Sequence, residues 1–171
     1  SALLRAKELA LRGEKQFASP PLHFFLYHDI HRQEFVSNPT CLEQFIQLDD
    51  NDIWTSLKVW CSHEDRVLRT LSRGMVDRLI FKVEVSNEPF DTERIESIKK
   101  DVSQRIGISL KEADYLVMTS RIERNMYNPA DDSIDILYND GAIRGVAEAS
   151  DMLNISLLSK KVKKYYLCYL R

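Results

Sequence analysis

The spacing of apolar residues changes from a helical to a strand period near residue 78, and this change restricts the folds available to the chain. Before it, apolar side chains recur every three or four residues, as on the buried face of a helix. After it, they occupy every second position: Leu79, Phe81, Val83 and Val85. The pattern predicts an α+β fold with N-terminal helical hairpins followed by a small, mainly antiparallel sheet with packed helices.

The same change suggests how the chain is organised. Residues 1–75 are predicted to form a helical part and residues 76–171 an α+β subdomain, together one structural unit. The chain starts with Ser1 directly on a helical pattern that runs to Gly13. We therefore expect the helical part to continue from an upstream region that this sequence does not include.

Capping residues set the limits of helices on both sides of the period change. Asp50-Asn51-Asp52 precedes an apolar periodic run, and short acidic side chains accept hydrogen bonds from the free N–H groups of a first helical turn. This run and a second one over Glu64–Arg73 predict a helical hairpin that is closed by Gly74. Asp91 and Gly107 frame a segment with one apolar face, which predicts a long helix.

Four further segments have the apolar and β-branched composition of strands. They are Tyr115–Ile122, Asp132–Tyr138, Ala142–Val146 and Lys163–Arg171. Asn139-Asp140-Gly141 supplies the backbone freedom of a tight turn, so the second and third of these segments are predicted to pair. A short helix is predicted over Ser150–Leu158.

Composition excludes several classes of function. The chain has 24 Lys and Arg against 26 Asp and Glu, a net charge of -2, so no overall field favours nucleic acid or an anionic membrane. No apolar run approaches the ~20 residues that cross a bilayer. Cys41, Cys61 and Cys168 lie far apart without CxxC spacing, which indicates reduced thiols in a cytoplasmic protein.

Histidines early in the chain are the first candidates for a metal site. His23, His28 and His31 lie close together in sequence, and Asp29 follows His28. His28 and Asp29 point to different faces of any regular structure, and no further ligand recurs at a supporting spacing, so packing or surface roles are favoured. A stand-alone metal enzyme built on these histidines is the least favoured hypothesis. We predict no catalytic residue, because nucleophile elbows and glycine-rich phosphate loops are missing from the sequence.

Two basic features are candidates for binding anions. At strand spacing Arg78, Ile80 and Lys82 share one face, where two cations flanking an apolar residue suit the phosphates and the base or sugar of a nucleotide. Alternatively, these three residues form the solvent-exposed face of a half-buried strand and bind no ligand. The second feature is a group of lysines beside the aromatic C-terminal stretch, for which a solvated face is favoured: Lys160, Lys161, Lys163 and Lys164.

Three segments, in their order along the chain, resemble one family of enzymes. They are Leu48–Trp54 (LDDNDIW), Arg78–Val83 (RLIFKV) and Val162–Cys168 (VKKYYLC). From about residue 40 onward the chain resembles the C-terminal part of HD-superfamily phosphohydrolases related to the deoxynucleoside triphosphate triphosphohydrolases. The resemblance implies a helical hairpin, a strand, a long helix and a terminal sheet, in that order.

The metal ligands of that family have no counterpart in this chain. In the family, a His, a His-Asp pair and a later Asp hold a divalent metal that activates water for attack on phosphorus. The resemblance places all of them upstream of Ser1, and His28-Asp29 is not that pair. It therefore implies a fragment that is inactive by itself, from a metal-dependent parent enzyme acting on (deoxy)nucleotides.

The resemblance does assign regulation and assembly to this chain. Arg78 and Lys82 match an arginine and a lysine that contact an activating nucleotide between subunits, and Ile80 takes the apolar position between them. A further lysine of that pocket falls near Asn139 or Asp140, where the charge is reversed. The expected partners are the upstream HD domain, further copies in a homo-oligomer and a nucleotide or deoxynucleotide effector, but neither DNA nor a membrane.

A stand-alone protein-interaction module is the alternative that the sequence leaves open. Such a module would bind a protein partner through the aromatic stretch Phe24–Tyr27 or through the terminal strand. A natural start codon close to Ser1 would favour this alternative over the C-terminal region of a larger enzyme.

Overall fold

A computed structural model describes residues 1–124, 135–145 and 162–171 of the chain. The helices in this part are Ala2–Leu11 (α1), Pro20–Tyr27 (α2), Glu34–Ser37 (α3), Pro39–Gln47 (α4), Asp50–Trp60 (α5), Arg66–Val76 (α6), Thr92–Ile106 (α7) and Leu110–Ala113 (α8). The strands are Lys82–Ser86 (β1), Val117–Arg124 (β2), Asp135–Leu137 (β3), Ile143–Gly145 (β4) and Val162–Tyr169 (β5). The protein is α+β, as the change of period predicts.

The described residues form two compact units. The first contains Ser1–Val83, Asp91–Met118 and Cys168–Arg171. The second contains Glu84–Phe90 and the described part of Thr119–Leu167. Helices α1 to α8 therefore belong to the first unit, and the hairpin of β3 and β4 belongs to the second.

The core of the first unit lies between α1, α2, α5 and α6. These helices place apolar side chains inward: Ala6, Leu9, Ala10, Leu22, Leu26, Leu57, Trp60 and Leu68. The indole N–H of Trp60 donates to the Phe17 carbonyl at 3.0 Å, so this buried side chain keeps its polar group paired. At ~25 cal/mol per Å² of apolar surface, burying each large side chain contributes on the order of 2 kcal/mol.

Helix α7 has the predicted caps, whereas in α5 the N-cap is Asp49, and the residues predicted to precede the helix, Asp50–Asp52, form its first turn. The carboxylate of Asp49 accepts from the N–H groups of Asn51 at 2.7 Å and Asp52 at 3.2 Å. The Asp52 carboxylate in turn accepts from the Asp49 N–H at 2.8 Å, which completes a capping box. Asp91 is the N-cap of α7, and Gly107, at a φ of 71°, is its C-cap.

Helix α6 is longer than predicted. The prediction that Gly74 closes it is wrong, because the helix continues to Val76 and its C-cap is Asp77. Gly74 keeps helical geometry, so its freedom to adopt a positive φ is not used there. The left-handed residue after the cap is Arg78, with a φ of 56°.

Strand β1 begins later than predicted. Alternation predicts a strand over Leu79–Val85, whereas β1 starts at Lys82: α6 extends to Val76, a turn follows at residues 77–78, and residues 79–81 have no regular structure. The three-stranded antiparallel sheet has the order β1-β5-β2. Its central strand, β5, confirms the strand that was predicted over Lys163–Arg171.

The predicted turn at Asn139–Gly141 joins two short antiparallel strands. Leu137 in β3 lies opposite Ile143 in β4. The Asp140 carboxylate accepts from the Ala142 N–H at 2.9 Å, which stabilises the turn. Asp140 therefore has a structural role within the second unit.

Some predicted segments lie outside the described residues. They include the helix over Ser150–Leu158, the start of the predicted strand Asp132–Tyr138 and Val146 at the end of another. Among the helices that are described, none has both the length and the apolar character that a membrane crossing demands.

Candidate functional site

The predicted anion-binding residues lie on the segment that follows α6. Lys82 is the first residue of β1, but Arg78 and Ile80 precede the strand. The strand face predicted to carry all three residues is therefore not formed, because the strand itself starts only at Lys82. Arg78 lies instead in the turn after α6, in the left-handed conformation.

All three side chains are accessible to solvent. Arg78 and Lys82 are exposed, and Ile80 is 84% exposed. Arg78 follows the C-terminus of α6, where the partial negative charge of the helix favours a cation. A left-handed backbone costs a residue other than glycine on the order of 1 kcal/mol, so the fold holds Arg78 in a conformation that glycine adopts more easily.

Strand β5 brings to this segment a residue that the sequence analysis did not single out. The Nζ atom of Lys82 lies 5.4 Å from the ring centroid of Tyr169, over the face of the ring. Strands β1 and β5 are neighbours in the sheet although they lie far apart in sequence. Local periodicity does not encode such a pairing, and the only signal in the sequence was the aromatic composition of the terminal strand.

The structure describes only two of the four lysines of the terminal stretch, Lys163 and Lys164. Lys160 and Lys161 lie outside the described residues. Lys163 is exposed, and Lys164 donates to the Asn87 side-chain oxygen at 2.5 Å within the second unit. The prediction of a solvated face is therefore open for two of the four lysines.

Two of the three histidines of the disfavoured metal site have other neighbours, while the Nε2 atom of His31 lies 3.6 Å from Oδ2 of Asp29. His23 stacks on Tyr27 with ring centroids 4.1 Å apart. The Nδ1 atom of His28 lies 2.9 Å from the Phe24 carbonyl oxygen. Within residues 1–124, 135–145 and 162–171, no group of three or more His, Cys, Asp or Glu side chains is placed to hold a metal ion.

The aromatic stretch Phe24–Tyr27 takes part in packing within the first unit. The Tyr27 hydroxyl accepts from the Gln16 N–H at 2.6 Å. The ring of Phe25 stacks on that of Phe35, with centroids 6.1 Å apart. These contacts give the stretch a structural role, and the interaction-module hypothesis stays a prediction.

A buried arginine, which the sequence analysis missed, organises a network of ion pairs in the first unit. Arg5 donates to both carboxylate oxygens of Asp65, from Nε at 3.2 Å and from Nη2 at 2.6 Å. It also donates to Glu112 at 2.7 Å and to Glu8 at 3.0 Å. The Tyr115 hydroxyl donates to Glu8 at 2.7 Å. The network connects α1, the N-cap of α6 and α8.

These hydrogen bonds shift the pKa values of the residues that form them. The hydrogen bond with Asp65 raises the pKa of Arg5. Burial by itself would raise the pKa of the Asp65 carboxyl, but hydrogen bonds from Arg5 and from the Leu68 N–H lower it overall. The hydrogen bond from Tyr115 lowers the pKa of Glu8, and Arg5 lowers it further. The network is therefore fully charged at neutral pH.

A cleft of about 540 Å³ opens beside this network. Arg5, Glu8 and Glu112 line it together with Arg12 and Tyr115. Four of the five N–H donors of Arg5 are already engaged by carboxylates. We interpret the network as a structural connection between helices, because its buried cation is occupied by protein groups.

Comparisons with known proteins relate this chain to a solved structure. No family model matches the sequence, and no curated protein matches it. The crystal structure of a phosphohydrolase from Bacteroides thetaiotaomicron VPI-5482 matches this chain with 67% sequence identity and a TM-score of 0.94. The match covers 99% of this chain and 42% of the phosphohydrolase chain. The protein is therefore related to a phosphohydrolase and spans less than half of that relative's length.

Proposed function

We propose that this chain is the C-terminal assembly and nucleotide-regulatory region of an HD-type phosphohydrolase that acts on (deoxy)nucleotides. The observation that carries the proposal is its 67% identity, over 99% of its length, to part of a protein named a phosphohydrolase. The order of the motifs LDDNDIW, RLIFKV and VKKYYLC supports the finer assignment to enzymes of the triphosphohydrolase type.

Catalysis and the divalent metal are assigned to residues outside this chain. Among the described residues, no group of three or more His, Cys, Asp or Glu side chains converges to hold a metal ion. In the proposed enzyme this chain itself carries out no chemical step. Its contribution is to bind an effector and to hold subunits together.

Arg78 and Lys82 are proposed to contact the phosphates of the effector. Both side chains are exposed and belong to the first unit. A guanidinium offers paired N–H donors to phosphate oxygens, and an ammonium adds a compact charge. The exposed Ile80 side chain between them provides an apolar contact for a base or sugar. The strained backbone of Arg78 supports a functional reason for an arginine at this position.

Exposed apolar side chains support a role in assembly. Leu79, Ile80 and Val83 are each more than half exposed on the segment that carries the proposed effector site. A large exposed apolar patch on a protein surface often marks an interaction site. A subunit interface there would place the effector between copies of the chain, so effector binding and assembly would be linked.

Calorimetric titration of the full natural protein with non-hydrolysable deoxynucleoside triphosphates tests the effector site. The variant Arg78→Ala with Lys82→Ala should bind at least about tenfold more weakly, since each charged hydrogen bond contributes about 1.5–3 kcal/mol. The matched control is Arg32→Ala with Lys58→Ala, which removes the same charges from other exposed positions. Equal affinity of both double variants and the wild type would exclude this site.

An activity assay on the full natural protein tests the proposed hydrolysis reaction independently of effector binding. The full natural protein should release phosphate products from deoxynucleoside triphosphates, and a chelator should abolish the release. Residues 1–171 by themselves should release none. Hydrolysis by the isolated chain, in the presence of a divalent ion, would contradict the proposal that the catalytic residues lie outside this chain.

A further inference from the structure

We propose that Phe81 is a positioning residue for Arg78, and this inference rests on the proposed effector site. Arg78 carries the guanidinium proposed to contact phosphate, on the segment that joins α6 to β1. Residues 79–81, which the structure describes in full, belong to neither helix nor strand, so no regular pattern of hydrogen bonds sets their path. Packing of the Phe81 ring holds this segment in place.

The ring of Phe81 lies against the last turn of α6 at Gly74. A Cβ atom added to Gly74 would lie 3.6 Å from Cε1 of Phe81 and 3.6 Å from the Leu79 carbonyl oxygen. The segment therefore folds back over the helix at a point where no side chain projects. A side chain larger than that of alanine would compete with the ring for this space. The close approach accounts for a small residue at this position of α6.

Burial within the segment identifies Phe81 as its anchor. Among residues 77–83, all of which the structure describes, only Phe81 is partly buried and the others are exposed. The left-handed backbone of Arg78, at a φ of 56°, turns the chain directly after α6, and the ring contact follows three residues later. Arg78 is therefore restrained from both sides. Restraining the segment beforehand reduces the entropy that is lost when a ligand binds.

Helix α6 is a firm support for the ring. Its inward side chains Val67, Leu68 and Leu71 are buried. The last turn is also held to the end of α5, because Arg73 donates from Nε to the Cys61 carbonyl at 3.0 Å. These contacts limit the movement of the helix surface on which the ring rests.

Calorimetric titration of the full natural protein with a non-hydrolysable deoxynucleoside triphosphate tests the inference from both sides of the contact. Phe81→Ala removes the ring, and Gly74→Leu fills the space that it occupies, so each variant should bind about three- to tenfold more weakly. Phe81→Leu keeps an apolar anchor, and Gly74→Ala fits at an ordinary contact distance, so both should bind within about twofold of the wild type. The matched control is Phe35→Ala, which removes a half-buried phenylalanine elsewhere in the first unit and should keep wild-type affinity.

Two further measurements separate positioning from direct contact with the effector. In the Arg78→Ala background, Phe81→Ala should cause at most about a twofold further loss of affinity, because the main group that the ring positions is gone. In the protein without nucleotide, Phe81→Ala should accelerate amide hydrogen exchange at residues 79–82. Phe35→Ala should leave the exchange of those residues unchanged.

The possible outcomes separate this inference from the proposed function. If Phe81→Ala weakens binding equally in both backgrounds, or leaves the hydrogen exchange of the segment unchanged, the inference is wrong. If Arg78→Ala weakens binding and neither Phe81→Ala nor Gly74→Leu does, the effector site stands and the positioning role fails. If the wild-type protein binds no nucleotide, the proposed function fails and the inference fails with it. Thermal unfolding of each variant shows whether the fold is retained.

Discussion

Arg5 in α1 and Asp65 at the N-cap of α6 form a two-point ion pair inside the first unit. Nε of Arg5 donates to Oδ1 at 3.2 Å and Nη2 donates to Oδ2 at 2.6 Å. Oδ1 also accepts from the Leu68 N–H at 2.7 Å, so one carboxylate both caps α6 and holds α1. Because Arg5 is only 3% exposed, loss of Asp65 would deprive a buried guanidinium of its main partner.

We therefore expect Asp65→Ala to lower the free energy of unfolding by about 3 kcal/mol or more. Breaking a buried pair from one side costs about 3–5 kcal/mol, and loss of an N-cap adds about 1 kcal/mol. Urea denaturation measures the change. Arg12→Ala, which removes an exposed partner of Glu8, is the control and should cost less than about 1 kcal/mol. Equal unfolding midpoints for the two variants would show that the pair adds no net stability.

Acid should destabilise the first unit through the same carboxylates. The pKa values of Asp65, Glu8 and Glu112 all lie below their ordinary values of 3.8 for Asp and 4.5 for Glu. Near those ordinary values the unfolded chain binds more protons than the folded one, so stability rises with pH. The contribution is complete above the ordinary pKa values and is lost as the pH falls through the lowered ones.

Thermal unfolding between neutral pH and about pH 3 measures this dependence. The Tyr115 hydroxyl is the main cause of the lowered pKa of Glu8, so Tyr115→Phe should make the melting temperature less sensitive to acid. The variant should therefore differ most from the wild type at neutral pH and least in acid. A constant difference across the pH range would mean that the Tyr115 hydroxyl stabilises the fold independently of the charge on Glu8.

Two glycines with positive φ provide a matched pair for measuring backbone strain. Gly107 has a φ of 71°, and a Cβ there would overlap the Arg66 guanidinium, which donates to the Ile106 and Gly107 carbonyls. Gly13 has a φ of 90° and no atom within 4 Å of an added Cβ. Gly13→Ala should therefore cost about 1 kcal/mol, and Gly107→Ala distinctly more, because it also displaces Arg66. Equal losses in urea denaturation would show that Arg66 moves aside freely.

The sequence correctly predicted helix limits that depend on residues next to one another in the chain. Asp91 and Gly107 were correctly predicted to frame α7, because capping depends on residues next to one another in sequence. Gly74 shows the limit of the same rule. A glycine near the end of an apolar periodic run is typical of a helix end, but α6 continues past it to Val76. The strand that follows starts correspondingly late.

The contacts of the candidate site could not be predicted in this way. Tyr169 meets Lys82 only because β5 inserts between β1 and β2, a pairing set by the whole fold. Arg5 resembles any charged residue of an amphipathic helix, and its burial depends on Asp65 and Glu112, which lie far along the chain. Long-range pairing of this kind leaves no periodic signal in a single sequence.

The left-handed turn at Arg78 allows stability and effector binding to be separated. At a φ of 56° the backbone favours glycine, so Arg78→Gly should raise the free energy of unfolding by up to about 1 kcal/mol. The same change removes the guanidinium proposed to contact phosphate, so affinity for a deoxynucleoside triphosphate should fall about tenfold. Arg78→Ala removes the charge but keeps the strain, and should lose affinity without gaining stability.

These opposite effects distinguish a functional arginine from an incidental one. Urea denaturation and calorimetric titration of the full natural protein give both quantities for wild type, Arg78→Gly and Arg78→Ala. If Arg78→Gly gains stability and keeps full affinity, the arginine carries strain without serving the effector, and the assignment of Arg78 to the site is wrong. If both variants lose affinity and only the glycine variant gains stability, the strained backbone is retained because the side chain it carries binds the ligand.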